Sequence, residues 1–243
     1  SLDYPVYADN KSNQSNYTNL SGYHAEFDPK AKSLYGDDTL QPSKAGRSAE
    51  VPAVYNPIAD NSIMPDLRDQ NPYGACWAFS SIALAEMSLL RKENKLIDLS
   101  ELHLIYYTNS TLSDPLGGTD GDTNGVPAGE NMLDTGGNQS LAMQTLAAWK
   151  GAETEDKVPY SSADDVVQNG LDSSYAFDDV AHLKNGYIIN IKSDADEAKK
   201  LIMENGAISV SYNSQKGTYD DVNNSYYCSD RNAGIDHAVT IVG

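Results

Sequence analysis

Gln70-Asn71-Pro72-Tyr73-Gly74-Ala75-Cys76-Trp77-Ala78-Phe79-Ser80 is the stretch on which the reading of this 243-residue chain turns. It holds one of only two cysteines, set between a turn-forming Asn-Pro-Tyr-Gly run and an apolar segment, Trp77 to Leu90, whose composition favours helix. That order predicts Cys76 at a helix N-terminus. Unpaired backbone N–H groups and the positive end of the helix dipole favour thiolate over thiol at such a place, and the thiolate is the nucleophile. Upstream, Gln70 carries a side-chain amide able to fold back over the sulfur and donate a hydrogen bond to an oxyanion. An isolated cysteine in an apolar helix is ordinarily a small core residue. The residues around this one point to chemistry instead.

Tyr73-Gly74-Ala75-Cys76-Trp77 fits the pattern Cys-Gly-[Ser/Ala]-Cys-[Trp/Tyr], apart from its first position. The chain therefore resembles the papain-like cysteine peptidases. The resemblance implies an α+β, papain-like two-lobed fold, with a helical N-terminal lobe, a β-rich C-terminal lobe and the active-site cleft between them. It also exposes two departures. The cysteine that normally precedes the nucleophile by three is Tyr73, and its usual disulfide partner aligns with Asp134, so one bridge is lost as a unit.

Composition narrows what the motif can mean. Thirty-five acidic against 17 basic residues give a formal charge of −18, which argues against a nucleic-acid groove and fits a solvated acidic surface. Two cysteines so far apart in sequence exclude a CxxC knuckle and a disulfide-dense scaffold. No apolar run reaches membrane-spanning length, and no signal peptide opens at Ser1, so a mature or trimmed form is expected. Low Lys content with abundant Asn, Ser, Tyr and Asp suggests a secreted or cell-surface protein. Residues 1–50, rich in Ser, Asn, Asp, Lys and Gly and with little periodicity, read as an irregular extension, a pro-segment remnant or linker. Their sequons at Asn13, Asn16 and Asn19 carry no weight. The compact domain is expected over 51–243, opening at Val51-Pro52.

Beyond the first helix, Asp98-Leu99-Ser100-Glu101 predicts a short helix through Tyr106, with Asp98 as its cap. Leu99-Ser100-Glu101 also resembles the Leu-Ser-Glu that follows the family's catalytic helix. In the Gly/Asp-rich loop that follows, Asp120-Gly121-Asp122-Thr123-Asn124-Gly125 matches half of an EF-hand-type loop. Its twelfth position is Asn131 instead of Glu, and half-matches arise easily in such loops, so no metal or cofactor is expected; Asp120, Asp122 and Asn124 are the calcium candidates. Gly136-Gly137 precedes a helix predicted from Ser140 to Trp149 and stopped by Gly151. The second half predicts strands at 186–191, 207–212 and 238–242, and a helix over Asp194–Asn205 ended by Gly206.

His237, in Gly234-Ile235-Asp236-His237-Ala238-Val239-Thr240-Ile241-Val242-Gly243, opens the last strand. Asp-His-Ala-Val followed by apolar residues and Gly resembles the family's histidine motif, and His24, His103 and His182 have no such context. The resemblance makes His237 the general base that pairs with Cys76, Gly136 and Gly137 the place where substrate backbone lies, and Asn138, Ser211, Ile235, Asp236 and Ala238 the lining of the substrate pocket, with Trp77 packed beneath. It also implies an Asn-Ser-Trp-Gly segment supplying a third catalytic residue. None occurs here, so the domain is expected to be truncated at its C-terminal end, which would also leave Cys228 without its partner. The expected function is a cysteine endopeptidase acting on proteins or peptides, probed against two alternatives: a peptidase-fold binding or adhesion module without catalysis, and a cell-wall peptide amidase. The spelling around His237 is more similar to exported bacterial members than to plant or lysosomal ones.

Overall fold

The computed structural model describes residues 21–29, 50–57, 64–112, 123–191, 195–215, 219–230 and 232–243. Its longest helix, α1 (Cys76–Glu93), begins at the cysteine and buries Trp77, Ala78, Ile82, Ala85, Met87 and Leu89. A helix apolar on so many sides must be surrounded. Around it lie α2 (Glu101–Asn109), α3 (Gln139–Ala147) and α4 (Ala163–Asn169), contributing Leu102, Ile105, Ala142, Leu146 and Val166 to one core. α1 ends at Asn94, left-handed at φ 52°, whose N–H returns to the carbonyls of Leu89 and Leu90.

Two helix boundaries differ from expectation. The cap of α2 is Ser100, whose hydroxyl accepts from the His103 N–H at 3.0 Å. Asp98 is drawn instead to Arg68, 2.7 Å away. α3 stops two residues short of Trp149, which sits at φ 58°, outside the helical region.

The second half supplies β2 (Ala181–Asn190), α5 (Ala195–Asn205), β3 (Ile208–Tyr212), the hairpin of β4 (Tyr219–Asp220) and β5 (Ser225–Tyr226), and β6 (His237–Ile241). Gly206, at φ 93°, ends α5 as predicted. β2, β3 and β6 belong to an antiparallel sheet of order β2-β1-β3-β6, whose remaining strand is β1 (Ser21–Pro29). α5 covers it, packing Ala198 and Ile202 against Ile208, Val210, Val239 and Ile241.

β1 is an ordered piece of the stretch read as an extension. It pairs with β2 from Ser21↔Asn190 to Pro29↔Ala181 and touches β3 at Gly22↔Val210 and Tyr23↔Ser209. Tyr23, Ala25 and Phe27 alternate with His24, Glu26 and Asp28, the period of a strand, and the ladder to β2 runs its whole length.

Charge is also buried. Arg68 reaches Glu86 at 2.6 Å and Glu101 at 2.9 Å, and Glu86 and Glu101 are each 1% exposed. One guanidinium cannot neutralise several carboxylates in a low-dielectric setting, so the cluster tends to keep a proton. Burial pushes Glu86 and, near the same cluster, Glu155 up to about 7, and raises Glu101, against the pull of Arg68. A carboxyl whose folded pKa lies above its unfolded value takes up protons more readily in the folded chain. Its contribution to stability is complete below the ordinary value of 4.5 and is lost as pH rises through about 7. The melting temperature is therefore expected to rise by several degrees, on the order of 1–2 kcal/mol, between pH 8 and pH 5. Glu86→Gln should shrink that rise, which separates this cluster from general relief of the −18 charge. A melting temperature that is flat or falls over this interval contradicts the account.

Candidate active site

The head of α1 is built to leave donors unused. Its N-cap, Ala75, has no side chain to cap with, and no acidic residue occupies the first turn. The orphan N–H groups and the helix dipole therefore act uncompensated on Cys76, a half-buried free thiol. The loop ahead of it is held in several places. The Gln70 side-chain Nε2 donates to the Tyr73 carbonyl at 2.9 Å, the Tyr73 N–H donates to the Gln70 carbonyl at 3.1 Å, and the Tyr160 hydroxyl donates to that same carbonyl at 2.7 Å. A primary amide has two N–H donors, so Gln70 keeps one for an oxyanion.

Tyr73 and Asp134, standing where the resemblance put a disulfide, replace it with hydrogen bonds. Asp134 Oδ1 accepts from the Gly74 N–H at 2.9 Å, and the Tyr73 hydroxyl donates to Asp164 Oδ1 at 2.6 Å. The Tyr73 ring meets Tyr160 edge-on at 6.1 Å.

His237 opens β6 opposite Tyr212 in the β3–β6 ladder, and the two rings meet edge-on at 5.7 Å. Burial and then the neighbouring Tyr226 push the Tyr212 phenol up. α1, which begins at Cys76, packs against β6, which begins at His237, and the Thr240 hydroxyl of β6 donates to the Ser80 carbonyl of α1.

What holds α1 in register with the strands is a polar cluster that sequence reasoning missed. Ser80, one turn beyond Cys76, shares hydrogen bonds with Ser209 Oγ and with Thr240 Oγ1 at 3.2 Å, while Thr240 Oγ1 donates to the Ser80 carbonyl at 3.0 Å. Gln139 Nε2 donates to Ser209 Oγ at 3.0 Å and to Ser211 Oγ at 2.9 Å, and Ser211 Oγ donates back to Gln139 Oε1 at 3.1 Å. Ser80, Gln139 and Ser209 are buried, so these bonds are made away from competing water. They clamp the first turns of α1 and α3 to β3 and β6, so that the elements carrying Cys76 and His237 are held together.

The predicted substrate-contacting residues occupy varied settings. Gly137 is exposed on one side and lies so close to the Trp77 indole on the other that any Cβ would overlap the ring, while Trp77 itself is 2% exposed. Glycine is therefore required there. Gly136 has φ 73°. Asn138 caps α3, its Oδ1 accepting from the Leu141 N–H at 3.0 Å, so that oxygen is engaged within the fold. Ser211 spends its hydroxyl on Gln139. Ala238 is buried, Ile235 and Asp236 are exposed, and Asp236 Oδ1 accepts from the Ser214 N–H at 2.6 Å.

Of the calcium candidates, Asp120 and Asp122 lie outside the described residues, and Asn124 donates through Nδ2 to Asn109 Oδ1 at 3.1 Å. Cys228 is a free thiol whose Sγ points at the Asp230 carbonyl, 3.5 Å away. A groove of about 720 Å³ lined by Val51, Tyr55, Lys199, Ile202 and Ile241 lies against α5 and includes neither Cys76 nor His237.

Three comparisons bear on this arrangement. The chain is 26% identical to cathepsin L2 of Homo sapiens over 181 residues, 73% of this chain and 46% of that protein. It is 26% identical to vignain of Vigna mungo over 211 residues, 87% of this chain and 50% of that protein. The chain spans about half the length of these relatives. Its fold is similar to that of the cysteine protease and lectin-like domains of Cwp84 from Clostridium difficile, with a TM-score of 0.55 at 22% identity, covering 81% of this chain and 39% of that one. The model of the family described as papain family cysteine protease matches residues 51–243. With that stretch, from the start of the expected domain through His237, inside the family, the chain belongs to the papain-family cysteine proteases.

Proposed function

We propose that the chain carries the catalytic centre of a cysteine endopeptidase. The observation that carries this reading is the packing of α1, whose uncapped head holds Cys76, against β6, whose first residue is His237. Cys76 Sγ attacks the scissile carbonyl while His237 holds its proton. The oxyanion accepts hydrogen bonds from the Cys76 N–H and the free Gln70 N–H. His237 then protonates the departing amine, and water, deprotonated by His237, hydrolyses the thioester. Substrate backbone lies along Gly137, where Trp77 leaves no room for a side chain but the outer side of the residue is open.

The natural substrates are proteins or peptides met outside the cell or at its surface. The likeness to Cwp84, titled a surface layer associated protein, supports that setting. The second Cwp84 structure is described as following propeptide cleavage, at a TM-score of 0.53. On that analogy residues 1–50 serve as a pro-segment or linker, with β1 built into the sheet.

The test is labelling by an epoxysuccinyl inhibitor, read by intact mass. A stoichiometric adduct on Cys76, lost in Cys76→Ala, is expected. A folded, reduced protein that takes no adduct would favour the non-catalytic binding module and overturn the proposal.

A further inference from the structure

Beside His237 runs a row of tyrosines. Tyr212 meets the histidine ring at 5.7 Å, Tyr226 meets Tyr212 at 4.9 Å, and Tyr219, its partner across the β4–β5 hairpin, meets Tyr226 at 4.9 Å. Tyr219 and Tyr226 are each about half exposed, at 48% and 49%. Their packing on one another accounts for only part of their surface, and the row leads away from the imidazole into solvent.

Carboxylates lie along the same stretch: from Tyr212 onward the described residues include Asp220, Asp221, Asp230 and Asp236. Asp220 accepts from the N–H groups of Val222 and Asn223 at 3.0 and 3.3 Å and from Asn223 Nδ2 at 2.6 Å; these bonds hold its carboxyl below the usual value and keep it ionised. Asp236 is exposed, directly precedes His237 and contributes to the field at Tyr212.

His237 must deliver its proton to the departing amine, so the part of the substrate that carries this amine passes beside the histidine. Substrate on the acyl side is assigned to Gly137. We infer that Tyr212, Tyr226 and Tyr219, with Asp236, form the binding surface for the leaving-group side of the peptide and select a basic residue there, arginine ahead of lysine. Tyrosine faces attract cations through the ring quadrupole, and a guanidinium can stack on a ring while it pairs with a carboxylate. An aromatic residue could stack equally well, but it gains nothing from the aspartates, and an acidic one is repelled.

The inference rests on the endopeptidase reading, and the experiment separates the two. A peptidyl aminomethylcoumarin acylates the enzyme and releases coumarin, which reports acylation directly. Arginine, leucine or glutamate amide is then added, and mass spectrometry gives the ratio of captured peptide to hydrolysed peptide. In the capture step the amine nitrogen bonds to the thioester carbon, the C–S bond breaks, and the amine's proton passes to His237.

Arginine amide should be captured about threefold better than leucine amide and about tenfold better than glutamate amide. Tyr226→Ala should remove most of the preference over leucine and Tyr226→Phe should keep it. Asp236→Asn, which does not disturb the hairpin, should lower the preference over glutamate. Coumarin release with equal capture of all three amides overturns this inference alone. No coumarin release overturns the endopeptidase reading, and this inference with it.

Discussion

Arg68→Leu is expected to destabilise the fold by about 3–5 kcal/mol, the largest loss of stability from any single substitution considered. The cost is not the value of the ion pairs themselves, because two well-paired buried charges nearly cancel against their desolvation. It comes from what is left behind. Without Arg68, Glu86 and Glu101 share a buried site, each 1% exposed and each already carrying one oxygen, Oε2, with no hydrogen-bond partner. Glu86 retains only the Leu99 N–H at 2.8 Å. Urea unfolding at pH 8 should show the full loss. At pH 5, below the value of about 7 to which burial pushes Glu86, the loss should be smaller, and Arg68→Leu combined with Glu86→Gln should recover part of it at either pH. If Arg68→Leu costs under about 1 kcal/mol at pH 8, the cluster is hydrated and the account of its raised pKa values fails with it. Catalysis should also suffer, since Arg68 anchors the loop that presents Gln70 to α1 and α2.

That cluster marks where sequence reading ran out. Arg68, Glu86 and Glu101 are far apart in the chain, and nothing local distinguishes a buried glutamate from one on a solvated face. Ser209 and Ser211 show the same limit. The alternation Ile208-Ser209-Val210-Ser211 reads as an apolar face turned in and a polar face turned out, yet both faces are covered, Ile208 and Val210 by α5 and Ser209 by Ser80 and Gln139. β1 has a short alternation, Tyr23, Ala25 and Phe27 against His24, Glu26 and Asp28, set in a stretch rich in Ser, Asn and Asp that reads as an extension. The hairpin that carries Tyr219 and Tyr226 is too short for a periodic signal. By contrast, α1 and the stop of α5 at Gly206 were legible, because each is written in a few contiguous residues whose physics is local; Cys76 and His237 are singled out by equally short motifs, and their pairing is what the variants below test.

His237→Ala is expected to lower kcat/KM for peptide hydrolysis by at least about a thousandfold, and Cys76→Ala to abolish it to within the background. In the proposed mechanism the imidazole serves every step: it takes the thiol proton, returns it to the leaving amine and activates water for deacylation. Residues that act as one unit are not additive, so the double variant should be no worse than Cys76→Ala alone. Gln70→Ala should cost less, about a hundredfold, because the Cys76 N–H still donates to the oxyanion. Its loss should fall on kcat with little change in KM, since that hydrogen bond is needed chiefly in the transition state. The label distinguishes chemistry from misfolding: His237→Ala should react with the epoxysuccinyl inhibitor far more slowly than the unaltered protein while unfolding at the same urea concentration. If His237→Ala labels at an undiminished rate, the histidine at the head of β6 does not activate Cys76, and the packing of α1 on β6 does not make a catalytic pair of them.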